Sequence, residues 1–153
     1  FMPYITTSRN VKQNTRRLAR SLCLIFPNCI YENRGKKNFD MVAKRALKLG
    51  HSSVLFIYES HGNPSLIEKV ELNDKEEWEI TETICFNSIT INRPKKDMTR
   101  NNIEFIGEVE FFNKLMNYEE PKKKSKENTI VKYEKRILSI ESNNEKIIVL
   151  KLV

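Results

Sequence analysis

Glycine is scarce in this chain. Its four glycines stand apart at positions 35, 50, 62 and 107, so neither the glycine cluster of a P-loop nor that of a dinucleotide-binding turn is present. Histidine is scarcer still, with only His51 and His61, and no cysteine or carboxylate cluster lies at ligand spacing from either, which speaks against a metal-dependent hydrolase. The three cysteines, Cys23, Cys29 and Cys85, are odd in number and form no CxxC pair. That spacing fits neither a zinc site nor a disulfide framework, and the three are expected to be small buried hydrophobes in a reducing compartment. No apolar run approaches the roughly eighteen residues of a membrane span, and no signal-peptide pattern leads into Tyr4-Ile5. These absences point to a non-enzymatic chain with no cofactor, no metal, no small-molecule substrate and no membrane partner.

The most telling shortage is local. Residues 1–50 contain two acids, Glu32 and Asp40, against eleven basic side chains, a net charge of +9; residues 51–153 contain sixteen bases and eighteen acids. The whole excess of positive charge, +7 over 153 residues, therefore sits in the first third. Such asymmetry marks a polyanion-binding face on an otherwise ordinary domain. Charge alone does not separate RNA from DNA, an acidic protein or a lipid surface.

The residue pattern places that charge on elements. Residues 3–8 predict a short strand, and Asn10 is a candidate cap for a helix over Val11–Phe26. Val11, Thr15, Leu18, Leu22 and Ile25 form its apolar stripe. Lys12, Arg16 and Arg20 form a second stripe at strict i, i+4 spacing, with Arg17 beside it; like charges so placed repel, and an anionic partner would relieve that repulsion. Pro27 ends the helix. Cys29-Ile30-Tyr31 reads as a second strand. Arg34, Lys36 and Lys37 then surround Gly35 in a loop ahead of a second helix, Phe39–Leu49, whose core face is Phe39, Val42, Ala43, Ala46 and Leu47.

Val54-Leu55-Phe56-Ile57 is apolar throughout, as expected of a central strand buried on both faces. The alternation of helices and strands implies right-handed crossovers and parallel core strands. The turn Glu59-Ser60-His61-Gly62-Asn63-Pro64 follows, with Glu59 expected to partner basic neighbours rather than to serve as an acid catalyst. Further on, Trp78 to Ile91 alternates like one or two strands, Pro94–Asn102 is a polar connection, Val109–Tyr118 is a third helix and Glu119–Asn128 a charged loop. Ile137–Ile140 and Ile147–Leu150 bracket a closing hairpin. Trp78 and the phenylalanines at 105, 111 and 112 are expected in the core.

Three motifs stand in order: Thr6-Thr7-Ser8-Arg9 before a basic helix ending in Phe26-Pro27-Asn28, Tyr31-Glu32-Asn33-Arg34-Gly35-Lys36-Lys37 before the second helix, and Glu59-Ser60-His61-Gly62-Asn63-Pro64 after the buried strand. Over residues 3–64 this arrangement resembles the Brix-domain family of ribosome-assembly proteins in its short archaeal form. The resemblance implies an α/β fold of Brix, or anticodon-binding-domain-like, type. A β-α-β-α-β N-terminal half with parallel core strands precedes a related, more β-rich C-terminal half. Residues 2–153 would form one domain, divided into a basic half over 2–75 and a second half over 76–153.

The resemblance also implies ribosome biogenesis: binding of ribosomal RNA or its precursor, with a part in its processing and folding, in the cytoplasm for an archaeal protein and the nucleolus for a eukaryotic one. Arg9, Lys12, Arg16, Arg17, Arg20, Arg34, Lys36, Lys37, His61 and Asn63 are the candidate RNA-contacting residues, with ribosomal and assembly proteins as further partners. The rival reading is a protein-interaction scaffold in preribosomal particles, whose basic face meets acidic proteins and never touches RNA.

Overall fold

A computed structural model of the chain describes residues 2–153. The order is β1 (Tyr4–Thr7), α1 (Gln13–Ile25), β2 (Ile30–Tyr31), α2 (Phe39–Lys48), β3 (Ser53–Ser60), β4 (Asn63–Leu72), β5 (Trp78–Ile91), β6 (Asn102–Gly107), α3 (Glu110–Met116), β7 (Asn128–Glu134), β8 (Ile137–Ser142) and β9 (Glu145–Leu152). The nine strands form one sheet in the order β2-β1-β3-β4-β5-β9-β8-β7-β6. Parallel pairing is confined to β1 with β2, β1 with β3, and β6 with β7; the other pairs are antiparallel.

The expected α/β class and the relatedness of the halves are visible in this topology. In the first half β1 lies parallel to β3, which runs antiparallel to β4, and β4 to β5. The second half repeats the series as β6, β7, β8 and β9, with α3 in the connection between the parallel pair. The fourteen-residue β5 joins the two: residues 78–85 pair with β4 and residues 86–91 with β9.

Strand periodicity decides which side chains enter which core. Ile5, Leu55 and Ile57 face one side, under α1 and α3, in a cluster with Leu18, Leu22, Phe26, Phe112, Leu115 and Val131 that crosses both halves. Tyr4, Val54 and Phe56 face the other, under Val42 and Ala46 of α2. The α1 and α2 crossovers thus lie on opposite faces of the sheet. Phe26 of α1 meets Phe112 of α3 at 5.7 Å between ring centroids. A second tie between halves is polar: Lys69 of β4, 1% exposed, donates to the Lys114 carbonyl in the last turn of α3 at 2.6 Å and pairs with Glu71 at 3.2 Å. A cation at a helix C-terminus is favoured by the dipole and satisfies a terminal carbonyl. Gly107 ends β6 where a Cβ would stand 2.2 Å from the Tyr133 carbonyl oxygen, so no larger residue fits there.

Several local expectations are corrected. Asn10 does not cap α1; it adopts a left-handed conformation (φ 56°), and the helix begins at Gln13 after Lys12. Leu47 and Phe39 of α2 are exposed rather than core: the helix buries Val42, Ala43 and Ala46 and turns Leu47 outward, while Phe39 in its first turn packs edgewise against Trp78 and stacks on Phe56. Cys85 is exposed, because Ile84 and Phe86 on either side of it are the inward-facing residues. β4, β6 and β7 were not expected as strands.

Candidate nucleic-acid interface

Parallel strands gather their following loops at one edge of the sheet, which is where ligand-contacting groups of α/β folds collect. β1, β3 and the short β2 run in the same direction, so their carboxyl ends share an edge. Arg9 and Lys12 follow β1, Arg34, Lys36 and Lys37 follow β2, and His61 and Asn63 follow β3. Arg16, Arg17 and Arg20 continue from that edge along α1.

The cap of α1 comes from the same edge. Glu59, near the end of β3, accepts the Lys12 backbone N–H (3.0 and 3.3 Å to its two oxygens) and the hydroxyl of buried Thr15 at 2.6 Å. A carboxylate 47 residues away thus satisfies the helix N-terminus that no local side chain caps, and a negative charge there is favoured by the helix dipole. Glu59 therefore fixes the direction in which the basic stripe leaves the sheet. Its neighbours are a backbone amide and a hydroxyl rather than the cationic side chains expected from the sequence.

Four of the candidate residues converge on one groove of about 390 Å³ between α1 and the 33–37 loop: Arg16, Arg20, Arg34 and Lys36, floored by Thr7, Ser8 and Tyr31. The Arg20 guanidinium lies 5.8 Å from the centre of the Tyr31 ring, a cation–π contact. The Tyr31 hydroxyl donates to the Asn33 side chain at 2.6 Å, and burial holds that phenol above its ordinary pKa. Arg16 donates to the Val11 carbonyl at 2.6 Å, which anchors it over the first turn.

Arg34 shapes the loop. It donates to the carbonyls of Lys37 (2.7 Å) and Thr7 (3.1 Å) and lies over the Phe56 ring at 5.4 Å. Desolvation, and then the nearby Arg9 charge, lower its pKa from the ordinary value. Arg9 reaches the Lys36 and Lys37 carbonyls at 3.5 and 3.4 Å, and Lys37 donates to the Asn33 carbonyl at 3.1 Å.

The remaining candidates lie on two flanks. Lys12 packs its stem 3.8 Å from where a Gly62 Cβ would stand, beside His61 and Asn63. His61 and Gly62 both take positive φ (53° and 82°) in the two-residue turn between β3 and β4, the backbone of a tight hairpin. Asn63 accepts from Asn14 at 3.1 Å. His51 is far from this turn in role: it is buried and hydrogen-bonded to the Met2 carbonyl at 2.9 Å. On the other flank Arg17 and Arg20 meet Arg93 around a small cleft. Two contributors are not among the candidates from sequence: Arg93, which stands in the polar connection after β5, and Tyr31, which the sequence places in a strand and at the start of the 31–37 motif but not in the site.

Among the described residues, Lys12, Arg16, Arg17, Arg20, Lys36 and Arg93 form no ion pair with a carboxylate. The two acids of the first fifty residues are otherwise engaged. Asp40 lies in the first turn of α2. Glu32 takes a bidentate grip from Arg45 (2.9 Å to each oxygen) and a hydrogen bond from Tyr4 at 2.7 Å, which hold its carboxyl down at about 2. These side-chain cations thus carry their charge without an ion-pair partner, and Glu59, the carboxylate on the same edge, faces the α1 N-terminus instead. No group of three or more His, Cys, Asp or Glu side chains among the described residues could hold a metal ion, and no helix among them is long and apolar enough to cross a membrane.

This nine-stranded α/β architecture is of the Brix and Imp4-like type. A probable ribosomal biogenesis protein from Aeropyrum pernix superposes with a TM-score of 0.77 at 16% identity, covering 99% of this chain and 95% of that one. Mil, an archaeal Imp4-like protein, superposes at 0.65 with 20% identity, covering 97% and 95%. In sequence, a probable Brix domain-containing ribosomal biogenesis protein from Thermococcus kodakarensis is 30% identical over 92 residues, 60% of this chain and 44% of that protein. Its counterpart from Pyrococcus furiosus is 28% identical over 92 residues, and that from Saccharolobus solfataricus 35% over 60. Over these segments the chain is similar in sequence to archaeal Brix-domain ribosomal biogenesis proteins. The matched segment spans less than half the length of the first two relatives. No family model matches the chain.

Proposed function

We propose that this chain is a ribosome biogenesis factor that binds ribosomal RNA or its precursor through the basic edge at the carboxyl ends of β1, β2 and β3, and thereby assists processing and folding of that RNA. The observation that carries this reading is the set of cations on α1 and the 33–37 loop that face no carboxylate, gathered on one edge of a fold shared with ribosomal biogenesis proteins. Unpaired, closely spaced guanidinium groups repel one another; phosphates relieve that repulsion and accept bidentate hydrogen bonds. The reading requires no catalytic step. The protein holds an RNA segment by charge and shape, and so biases which pairings that segment forms. Ribosomal and assembly proteins are the expected further partners, and the cytoplasm the expected place of action.

The test is an anisotropy titration with a precursor-rRNA fragment over a range of salt concentrations. Four phosphate contacts predict that log affinity falls with log salt with a slope of about −3. Absence of RNA binding, or affinity indifferent to salt, would reject the reading in favour of a scaffold that meets only proteins.

A further inference from the structure

We propose that the groove between α1 and the 33–37 loop is a seat for one unpaired nucleotide, which makes single-stranded rather than duplex RNA the preferred ligand of this face. The proposal rests on the RNA-binding reading above and names its ligand more narrowly. Three features of the groove go beyond what phosphate binding needs.

First, it is concave. A site of about 390 Å³ lies within the range of pockets that enclose small organic groups, whereas the rounded backbone of a duplex is met by a flat or gently curved cationic surface. Second, the groove contains an aromatic platform. Tyr31 sits half-buried in its floor, on the edge strand β2, with the Arg20 guanidinium 5.8 Å from its centre. The groove thus offers a guanidinium and an aromatic ring beside each other, and unpaired bases stack on both kinds of plane. Paired bases are closed to such contact.

Third, polar groups surround the platform. Arg16 and Lys36 stand on opposite walls for the phosphate, while Ser8 and Asn33 supply neutral hydrogen-bonding groups for a base edge or a 2′-hydroxyl. The lining contains no carboxylate. Arg16 is anchored by its bond to the Val11 carbonyl and Tyr31 by its bond to Asn33, so the seat is largely formed before the nucleotide arrives, which lowers the ordering cost of binding.

The experiment compares a short single-stranded RNA with the same strand annealed to its complement, using the full chain, its Tyr31→Leu and Tyr31→Phe variants, and Arg20→Lys. One base of the single strand is replaced by 2-aminopurine, whose fluorescence falls on stacking. The native chain is expected to bind the single strand more tightly than the duplex and to quench the probe. Tyr31→Leu should weaken single-strand binding about tenfold and abolish quenching, with duplex binding unchanged. Tyr31→Phe, which keeps the ring but loses the bond to Asn33, should retain the quenching and most of the affinity. Arg20→Lys, which keeps the charge but not the plane, should also lose single-strand affinity. Equal affinity of the native chain for the two RNAs, with no response to Tyr31→Leu, would overturn the nucleotide seat and leave the basic face as a charge-only surface. Failure of the native chain to bind either RNA would overturn the seat and the RNA-binding reading together. Unfolding curves of each variant separate loss of contact from loss of fold.

Discussion

The first fifty residues and residues 76–153 both carry many basic side chains, but only the second group sets an equal number of acids among them. In the second half Lys96 pairs with Glu127, Lys124 with Glu120 four residues earlier in the loop after α3, and Lys132 with Glu134. These exposed pairs contribute little stability, yet they neutralise the local field. On α1 the cations stand i, i+4 to one another; the Glu59 carboxylate at the start of the helix is taken up by the Lys12 amide and the Thr15 hydroxyl, and the groove lining contains no carboxylate. The charge of a protein surface is thus better read from the acids set among its cations than from how many cations there are. The topological repeat of the two halves sharpens the point. β1-β3-β4-β5 and β6-β7-β8-β9 share their pairing directions, but only the first has the added β2 and α2 whose loops build the groove.

That contrast can be broken in several ways. The largest effect is expected from reversing charge on α1. Converting Arg16, Arg17 and Arg20 together to Glu should weaken RNA binding by about a hundredfold or more, whereas converting Lys122, Lys123 and Lys124 to Glu should change it by no more than about threefold; anisotropy with a common RNA makes the comparison. A smaller effect, on stability rather than binding, is expected at the joint between halves. Lys69→Met keeps the volume but strands the Lys114 carbonyl and Glu71, and should lower unfolding free energy by about 2 kcal/mol in a urea titration.

Removing the remote cap should cost somewhat less. Glu59→Ala leaves the buried Thr15 hydroxyl and the Lys12 amide without their acceptor, a loss of about 1.5 kcal/mol, seen as a lower melting temperature. The smallest effect is at Glu32. Its folded pKa is depressed to about 2 by Arg45 and Tyr4, so its contribution is fully present above the ordinary carboxylate range and is lost as pH falls through the folded value. Glu32→Gln should therefore cost about 1 kcal/mol or less near neutrality, with the gap to the native chain closing between about pH 4.5 and pH 2.

Much of this was legible in the residues. The β1-α1-β2-α2-β3 series and the closing hairpin were readable because each element carries its own period and its own stop signal: Pro27, Gly50, and the Asn143-Asn144 turn with φ of 53° and 63°. β4 was not, because Lys69 occupies a core position and Pro64 opens the strand. β6 was not, because its alternation of Asn102 and Glu104 with Ile103 and Phe105 lasts only four residues before Ile106-Gly107 breaks it. β7 did alternate, through Thr129, Val131 and Tyr133, and could have been recognised. Of the site, the α1 stripe and the Gly35 loop are local patterns and were found. Their meeting in one groove, the remote Glu59 cap, Tyr31 beneath Arg20, and Arg93 beside Arg17 are contacts between distant segments, which no local periodicity records.

The most direct measurement is ultraviolet cross-linking of the native protein within preribosomal particles, with the adducted peptides mapped by mass spectrometry. The account predicts RNA adducts concentrated in peptides from residues 9–37, with few in residues 120–136. RNA adducts confined to the second half, or protein adducts alone on α1, would contradict it.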